Sequence, residues 1–277
     1  MRKINYSLII SDFDGTLVRD DQTVSEETKK TIEKYRADGG VFCICTGRTP
    51  KSILPQARAL GLSGLVSTFQ GSVIMDIETG ALLRDGYMPQ ETAVAVCQMM
   101  ERMGLHIHIY ELDEYYANGA GEVLAMYERI SGVKGIVSEK PLSELIVEKN
   151  MKVRKILSIV PTEARQGILD TIASAYGKEC YVTYSTDFLV EVSSKEYSKG
   201  TAVQFIANHY GVPIEKTVAI GDSLNDLPML KSAGVGIAVK NADPKLKAEI
   251  PPYAYSNNEN AVGKIIEEYG YTEEEVC

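Results

Sequence analysis

Short apolar runs and helical patterns alternate along the first part of the chain. The apolar run at 7–10 precedes a helical pattern that starts after Ser25, a residue type that commonly caps helix N-termini. A second apolar run, at 41–45, precedes another helical pattern, which begins at Pro50 because proline suits the first turn of a helix. Three short apolar runs, "LVSTF", "SVIMD" and "ALLR", then predict strands separated by glycine turns.

The last part of the chain repeats this alternation. Its predicted elements, in chain order, are a helix over 201–210, a strand over 217–220, a helix that ends near 232, a strand over 235–239, a helix from Pro244, a short strand at 253–255 and a helix over 260–269. Strands separated by helical crossovers are typical of parallel sheets. The two parts together predict an α/β fold with a doubly wound, Rossmann-like parallel sheet.

The middle of the chain has a different pattern, in which one helix is followed by two strands. This order occurs at 90–103 with the strands "LHIHIYEL" and "EYYANG", and again at 162–176 with the strands "CYVTYST" and "FLVEVSS". The repeated pattern predicts an α+β domain inserted into the α/β core. We therefore assign 1–83 and 190–277 to the core and 84–189 to the insert.

Composition and charge narrow the range of partners. The chain has 277 residues, 44% of them hydrophobic, which is enough for one large or two moderate domains. Its formal net charge of −9 argues against nucleic acid or an anionic membrane surface as a partner. A local cluster of metal and lysine can still attract an anionic substrate. We therefore expect a small-molecule substrate, and the sequence does not indicate an oligomeric state.

The apolar runs and the cysteines indicate where in the cell the protein is located. No run reaches the roughly 18 apolar residues of a membrane-spanning helix, and the N-terminal run is too short for a secretory signal. The five cysteines are scattered and odd in number, which indicates free thiols in a reducing compartment. We expect a cytoplasmic protein.

Two carboxylates follow the first predicted strand in the segment "DFDGTL". Side chains two residues apart in an extended segment point the same way, so Asp12 and Asp14 share one side at the carboxyl end of the strand. Ligands bind at that edge of a parallel sheet, and a Mg²⁺ ion would relieve the repulsion between the two carboxylates. The alternative is a simple Asx-turn, since Asp and Gly are common turn residues.

A second acidic segment, "GDSLND" at 221–226, follows another predicted strand. Asp222 should lie at the same edge, and Asp226 is four residues further on, so both can face one point. The alternative is local capping, because Ser223 and Asp226 have the spacing of a capping box. Capping and metal binding can coexist.

Two further segments offer groups for a phosphate. Thr46, Gly47 and Arg48 connect a strand to a helix, where a hydroxyl and exposed backbone N–H groups suit an anion. Lys199 precedes a helix and carries a compact positive charge suited to a phosphate oxygen. Each signal is weak alone, because such loops are common and lysines are usually solvated; Lys195 is a nearby competitor.

Taken together, these segments resemble the haloacid dehalogenase-like superfamily, and within it the Cof-type phosphatases. The matching segments are "DFDGTL" at 12–17, "TGR" at 46–48, "SKG" at 198–200 and "GDSLND" at 221–226. The first and last are specific to the superfamily, and the other two are specific through their positions relative to them. The resemblance covers the whole chain, and the insert lies where that subgroup has its cap domain.

The resemblance implies a covalent phosphatase mechanism. Asp12 would be the nucleophile that forms an aspartyl-phosphate, and Asp14 would be first the general acid and then the general base. Thr46 and Lys199 would hold the phosphate. Asn225 would contact the phosphate or orient Lys199.

The resemblance also implies a magnesium site. Asp222 would ligate Mg²⁺ together with Asp12 and the backbone carbonyl of Asp14, and Asp226 would support the metal site. The chain departs from the family pattern where it has Gln70-Gly71-Ser72 in place of Asn-Gly-Ala, and at Ala261, where glycine is usual. These departures concern loop shape and substrate contacts rather than the reaction.

Two histidines of the insert, His106 and His108, alternate on a predicted strand, with Tyr110 on the same face. A metal-binding pair is conceivable because histidine is a common ligand. The polar face of a half-buried sheet is the simpler interpretation. A third interpretation is that this face contacts the substrate.

The sequence thus predicts a magnesium-dependent phosphatase that hydrolyses a small phosphorylated metabolite, such as a sugar phosphate or a phosphorylated cofactor. The insert is expected to act as a cap that closes over the site and excludes water. Two alternatives stay open. One is a phosphomutase of a sugar phosphate, and the other is a non-enzymatic signalling or regulatory protein that stores phosphate on aspartate.

Overall fold

The computed structural model of the protein describes residues 3–184 and 186–272. The strands are β1 (Leu8–Ser11), β2 (Val41–Cys45), β3 (Leu65–Thr68), β4 (Val73–Asp76), β5 (Leu82–Asp85), β6 (His106–Tyr110), β7 (Tyr115–Ala117), β8 (Ile136–Val137), β9 (Lys155–Ile159), β10 (Cys180–Thr183), β11 (Leu189–Ser194), β12 (Thr217–Gly221) and β13 (Val235–Ala238). The α-helices are α1 (Glu26–Ala37), α2 (Pro50–Ala59), α3 (Gln90–Arg102), α4 (Glu122–Ser131), α5 (Leu142–Glu148), α6 (Thr162–Tyr176), α7 (Lys199–His209), α8 (Leu227–Ser232), α9 (Pro244–Glu249) and α10 (Ala261–Tyr269).

The chain divides into two compact units. The first unit comprises Met1–Thr46, Gln56–Leu83 and Ser198–Cys277, and the second comprises Gly47–Pro55 and Arg84–Tyr197. The sequence-based boundary at residue 190 falls inside β11, which pairs with β9 on one side and β10 on the other. Because a strand paired on both sides stays within its sheet, the second unit continues past that boundary. The role of the second unit as a cap stays a prediction.

The first unit contains a seven-stranded sheet in the order β13-β12-β1-β2-β3-β4-β5. β1 pairs in parallel with β12 and with β2, and β12 pairs in parallel with β13. The apolar run of β1 is completely buried at Leu8, Ile9 and Ile10. Parallel strands covered by helices need such continuous apolar runs, because both faces of the sheet are covered. The predicted α/β fold with a parallel sheet is confirmed.

Local sequence signals fix the starts of two helices in this unit. The Ser25 hydroxyl accepts a hydrogen bond from the Thr28 N–H (3.1 Å), so α1 begins with the predicted cap. Ser198 and Thr201 form a reciprocal capping box at α7, which fixes Lys199 as the first helical residue. The short strand predicted at 253–255 is wrong, because no strand forms there; the isolated bridge between Ala238 and Pro252 lies one residue before this segment.

The second unit contains a six-stranded sheet in the order β10-β11-β9-β6-β7-β8. β9 lies between β6 and β11 and is antiparallel to both. The two predicted helix-strand-strand groups are present as α3-β6-β7 and α6-β10-β11. The elements β8, β9, α4 and α5 were not predicted from the sequence.

The described cysteines Cys43, Cys45, Cys97 and Cys180 are buried free thiols, and Cys277 lies outside the described residues. Burial raises the pKa of the Cys43 and Cys45 thiols to about 12, so both remain protonated and act as small apolar side chains. Among residues 3–184 and 186–272, no helix has both the length and the apolar character needed to cross a membrane. The cytoplasmic location stays a prediction.

Candidate active site

The carboxyl ends of neighbouring strands bring the acidic segments together. Ser11, the last residue of β1, is in register with Ile220 of β12 and with Ile44 of β2. The Asp12 N–H donates to the Ile220 carbonyl (2.8 Å), so the parallel pairing continues one residue beyond β1. Asp12 therefore lies next to the segment that carries Asp222, as the sequence predicted.

The turn over Phe13–Leu17 requires a glycine. Gly15 has φ 71°, in the left-handed region. A Cβ at this position would lie 2.7 Å from Asp222 Oδ2, which is closer than a real Cβ contact allows. Glycine therefore lets the two acidic segments approach each other. The next residue uses this proximity, because the Thr16 hydroxyl donates to Asp222 Oδ1 (2.7 Å).

Lys199 lies between two carboxylates in the interior of the first unit. Its Nζ donates to Asp12 Oδ1 (2.7 Å) and to Asp226 Oδ1 (2.5 Å), and the lysine is 1% exposed. Burial by itself lowers the pKa of a lysine, but the Asp12 and Asp226 carboxylates raise the pKa of Lys199 well above its ordinary value. Lys199 is therefore a permanent ammonium next to Asp12.

Asp226 has a second set of hydrogen bonds on its other oxygen. Oδ2 accepts from the backbone N–H groups of Asp222 and Ser223, both at 2.9 Å. Ser223 and Asp226 form the reciprocal capping box that was considered from their spacing. Asp226 therefore takes part in the capping box and also belongs to the acidic cluster.

The carboxylates of Asp12, Asp222 and Asp226 form a cluster in which one oxygen of each lies within 4.8 Å of the others. Three carboxylates next to the single ammonium of Lys199 leave two uncompensated negative charges when all are ionised. Oxygen donors in this number suit a hard divalent cation that keeps some of its water. The side chains present therefore fit a bound metal ion.

The raised pKa values of two cluster members reflect their burial first and the neighbouring carboxylates second. Burial and the Asp226 carboxylate raise the pKa of Asp222 to about 7, although the hydrogen bond from Thr16 lowers it. Burial also raises the pKa of Asp12; Lys199 lowers that pKa, and the Asp226, Asp222 and Asp14 carboxylates raise it further, so the net pKa lies well above the ordinary value. A cation in the cluster would oppose both shifts, because it favours the ionised carboxylates.

Asp14 differs from the other three aspartates. Its side chain is exposed and does not belong to the carboxylate cluster, and the role of its backbone carbonyl in metal binding stays a prediction. It lies two residues after Asp12, with backbone angles φ −76° and ψ 129° that are extended. Its assignment as general acid and base stays a prediction.

Asn225 and Thr46 are linked through Gln70. The Asn225 Nδ2 donates to Gln70 Oε1 (3.2 Å), and the Gln70 N–H donates to the Thr46 carbonyl (3.1 Å). All three residues are at most 4% exposed. The structure thus connects two predicted phosphate ligands through a residue that the sequence marked only as a departure from a family pattern.

Gly47 and Arg48 belong to the second unit, where they contact other residues of that unit. The Gly47 carbonyl accepts from Lys155 Nζ (3.3 Å), and Arg48 Nη1 donates to Ser52 Oγ (3.4 Å). Their assignment to phosphate binding stays a prediction.

The histidine pair of the second unit lies among aromatic rings. The Nε2 atoms of His106 and His108 are 3.0 Å apart, and the His108 ring packs against Tyr115 and Tyr127 with centroid distances of 4.9 Å. Burial lowers the pKa of His108 to about 3, so this ring is neutral. Within the described ranges, the groups of three or more candidate metal ligands include the aspartate cluster and no histidine.

Two residues of the site were missed from the sequence. Thr16 is part of "DFDGTL", and a hydroxyl two residues after Asp14 was a usable signal for a partner of a nearby carboxylate. Gln70 had no local signal, because its partners Thr46 and Asn225 are distant in the sequence. Only the sheet register brings them together.

Comparison with known proteins identifies the family. The haloacid dehalogenase-like hydrolase family model matches residues 9–266. The chain is 27% identical over 271 residues to YitU of Bacillus subtilis, named 5-amino-6-(5-phospho-D-ribitylamino)uracil phosphatase, with 95% of this chain and 97% of that protein covered. It is 27% identical over 268 residues to YcsE of the same organism, which has the same enzyme name, with 95% of each covered.

A solved structure shows the same similarity in three dimensions. TM0651 from Thermotoga maritima superposes with a TM-score of 0.80 and 26% identity, covering 95% of this chain and 97% of the other. The sequence motifs, the fold and the relatives therefore agree. The phosphoric monoester hydrolase predicted from the motifs is confirmed, and the chain belongs to the haloacid dehalogenase-like hydrolase family.

Proposed function

We propose that the protein is a magnesium-dependent phosphatase that hydrolyses a small phosphorylated metabolite through an aspartyl-phosphate on Asp12. The observation that supports this most strongly is the contact of Asp12 with Lys199 at the edge of a three-carboxylate cluster. The proposed nucleophile, the Lys199 ammonium and the carboxylates proposed to bind the metal are close together in the first unit.

Asp12 is the nucleophile in this proposal. A carboxylate attacks a phosphate dianion poorly, because both are negatively charged. The Lys199 ammonium, 2.7 Å from Asp12 Oδ1, offsets this repulsion and stabilises negative charge on the transferring group. Attack by a carboxylate oxygen of Asp12 on phosphorus expels the substrate's alkoxide. Hydrolysis of the resulting acyl phosphate then restores Asp12, so one difficult step becomes two easier ones.

Asp14 supplies and removes protons. In the first step it protonates the leaving oxygen, and in the second it takes a proton from the attacking water. Its exposed side chain is compatible with exchange of water and of the released alcohol. Positioned acid–base groups typically contribute roughly 10²- to 10⁴-fold to the rate.

Asp12, Asp222 and Asp226, with the backbone carbonyl of Asp14, would hold the Mg²⁺ ion, which supplies positive charge to the phosphoryl group. Thr46, Lys199 and Asn225 would bind the phosphoryl oxygens. Lys199 has two roles in this proposal, since the same ammonium pairs with Asp12 and faces the phosphate.

The substrate class is a small phosphate monoester. YitU and YcsE are named for the hydrolysis of a phosphorylated ribitylaminouracil. A sugar phosphate or a phosphorylated cofactor of similar size is therefore the class to test in this chain. A panel of such compounds, including 5-amino-6-(5-phospho-D-ribitylamino)uracil, compared by kcat/KM identifies the preferred one.

The reaction itself is tested with para-nitrophenyl phosphate. The wild-type protein is expected to release phosphate when Mg²⁺ is present and to stop when the metal is chelated. Asp12→Asn is expected to abolish release, and Asp21→Asn, at an exposed turn residue, is the matched control that keeps it. Activity that survives chelation would remove the metal from the proposal, and turnover by Asp12→Asn would remove the nucleophile. Transfer of phosphate between positions of a sugar without net release would indicate a phosphomutase instead.

A further inference from the structure

Asn225 is buried, and its side-chain amide donates a hydrogen bond to Gln70. It is 4% exposed, and its Nδ2 donates to Gln70 Oε1 at 3.2 Å. Its Oδ1 is buried and has no hydrogen-bond partner among the residues that the structure describes. Buried polar atoms are almost always paired in native proteins, so an unpaired one at an active site indicates a group that is used when a ligand binds.

The contact with Gln70 determines how the amide of Asn225 is oriented. A primary amide is planar, so a hydrogen bond from its N–H group to the Gln70 carbonyl restricts how the whole group can rotate. The second N–H and Oδ1 are then directed away from Gln70. Without this contact the amide could rotate about its terminal torsion, which has only broad preferences.

Gln70 has an unusual backbone conformation. Its φ is 59° and its ψ is 27°, in the left-handed region that a glutamine rarely adopts, and Phe69 and Gly71 beside it also have positive φ values of 49° and 99°. Strained backbone of this kind persists where the surrounding structure holds it, and it concentrates at functional sites.

The strained turn Phe69–Gly71 contacts three parts of the proposed phosphate site. The Gln70 N–H donates to the Thr46 carbonyl, and its side chain accepts from Asn225. Gly71 lies against the start of α7, since a Cβ there would be 2.1 Å from the Ser198 carbonyl oxygen. The residue after Ser198 is Lys199, so this turn touches Thr46, Asn225 and the residue that precedes Lys199.

We propose that Gln70 is a positioning residue of the phosphate site: it orients the Asn225 amide toward the phosphoryl oxygens and holds this amide in register with Thr46 and Lys199. This inference rests on the proposed function, because it assigns a support to a phosphate ligand of that function. It predicts that the affinity for phosphate depends on the Gln70 side chain only as long as Asn225 is present.

The test uses the affinity of the full-length protein for inorganic phosphate, measured by calorimetry with Mg²⁺ present, alongside kcat and KM for para-nitrophenyl phosphate. Gln70→Met keeps the length and unbranched shape but removes the amide, and it should weaken phosphate binding about fivefold to tenfold, the effect of one neutral hydrogen bond. Gln204→Met is the matched control, because Gln204 is exposed on α7 and donates to the Ser232 carbonyl.

Gln70→Gly separates folding from positioning. Glycine adopts a φ of 59° without strain, so this variant should fold while losing the same phosphate affinity as Gln70→Met. The KM should rise by a similar factor in both variants. Their unfolding temperatures should differ from each other, because glycine relieves the backbone strain and methionine does not.

A double-mutant cycle decides between positioning and a general structural role. If Gln70 acts through Asn225, adding Gln70→Met to Asn225→Ala causes no further loss of phosphate affinity. Additive losses, or unchanged affinity in both Gln70 variants, would overturn the inference while leaving the phosphatase proposal intact. A wild-type protein that neither binds inorganic phosphate nor hydrolyses para-nitrophenyl phosphate would overturn both this inference and the phosphatase proposal.

Discussion

Lys199 shows how much of this site depends on the charge balance around one buried side chain. The ammonium is 1% exposed and pairs with Asp12 and Asp226, while Asp222 belongs to the same carboxylate cluster. Burying charges is costly, and it is tolerated here because opposite charges and hydrogen bonds compensate. Removing the single cation therefore disturbs the cluster more than removing one of its carboxylates.

Replacing Lys199 by methionine should destabilise the protein and make its stability depend more strongly on pH. Breaking a buried ion pair typically costs about 3–5 kcal/mol, because the partner charge is left uncompensated. Without the lysine, the already raised pKa of Asp12 rises further. A carboxyl group whose folded pKa is raised binds its proton more tightly in the folded protein, so stability falls as pH rises above the unfolded value of 3.8.

Chemical denaturation in the absence of metal, at several pH values, measures this effect. The difference in the free energy of unfolding between wild type and Lys199→Met should become smaller as the pH is lowered. Lys231→Met is the control, since Lys231 forms a surface pair with Glu249 in which both side chains are about half exposed, and it should change stability by less than about 1 kcal/mol. If the loss of unfolding free energy in Lys199→Met did not change with pH, the Lys199 charge would not control the pKa values of the neighbouring carboxyl groups.

Thr16 adjusts the proton affinity of a proposed metal ligand. Its hydroxyl donates to Asp222 Oδ1 and lowers the pKa of that carboxyl, which is about 7. Thr16→Val keeps the shape but removes this hydrogen bond, so the pKa of Asp222 should rise and Mg²⁺ should bind several-fold more weakly near neutral pH, as expected for the loss of about 1 kcal/mol.

Calorimetric titration with Mg²⁺ checks this prediction. Thr217→Val is the matched control, because Thr217 is equally buried in the first unit but donates to the Ile214 carbonyl. The control should lose stability without losing metal affinity. Equal Mg²⁺ affinity in Thr16→Val and wild type would contradict the assignment of Asp222 as a ligand tuned by Thr16.

Among the elements, the turn Phe69–Gly71 between β3 and β4 is the one whose shape matters most for the site. It has three consecutive positive φ values, and Gly71 approaches the backbone at the start of α7. A side chain at Gly71 would meet backbone atoms rather than a flexible side chain, so the neighbouring segment would have to move. The residue that moves with it is Lys199.

Gly71→Ala should therefore destabilise the protein and impair phosphate binding together. Gly80→Ala is the control, because Gly80 also has a positive φ but a Cβ there would have no atom within 4 Å. The control should cost about 1 kcal/mol from backbone strain alone, and Gly71→Ala should cost more. Thermal unfolding and the affinity for inorganic phosphate measure the two effects. Equal behaviour of the two variants would contradict the close packing of Gly71 on α7.

Local patterns predicted the elements whose signals are contained in their own residues. β2 has the predicted bounds because "VFCIC" is a continuous apolar run, and α6 starts and ends as its pattern indicated. β9 was missed because its apolar residues are few and follow the charged residues Lys152, Arg154 and Lys155, so "KILSI" shows neither a continuous apolar run nor an alternation. Lys155 is buried through a partner on another strand, Glu191 at 3.6 Å, and sequence gives no local sign of such a pair.

In the candidate site, too, some features have a local sequence signal and others depend on residues that are distant in the sequence. Asp12 and Asp222 could be placed near each other because parallel strands present their carboxyl ends at one edge. The proximity of Lys199 to Asp12 and Asp226 followed from a family resemblance rather than from local pattern. The hydrogen bonds of Thr16 and Gln70 could not be predicted, because they depend on side-chain positions a few ångströms apart across distant segments.

For the whole molecule, the main electrostatic question is how an acidic chain binds an anion. The net charge is −9, and the proposed site itself has more carboxylates than cations. The answer in this account is a divalent cation, held by a cluster that is unfavourable without it. Metal binding should therefore be linked both to global stability and to pH.

The stabilisation by Mg²⁺ should increase as the pH rises. The folded, metal-free protein keeps a proton on Asp222 up to about pH 7, and metal binding has to displace it. The difference in unfolding temperature with and without Mg²⁺ should thus be small near pH 5 and larger near pH 8, and differential scanning fluorimetry measures it. A difference that is constant over this range would contradict the proton competition, and Asp222→Asn should remove most of the difference at every pH.

The residue that carries the phosphoryl group during turnover distinguishes covalent catalysis by Asp12 from the other mechanisms. Asp14→Asn should form the phosphoenzyme from para-nitrophenyl phosphate, whose leaving group needs no acid, but should hydrolyse it slowly because the base is missing. After acid quenching, peptide mass spectrometry should find one phosphoryl group, on Asp12. An active wild-type enzyme whose Asp14→Asn variant carries no phosphoryl group, or carries it on another residue, would contradict the account.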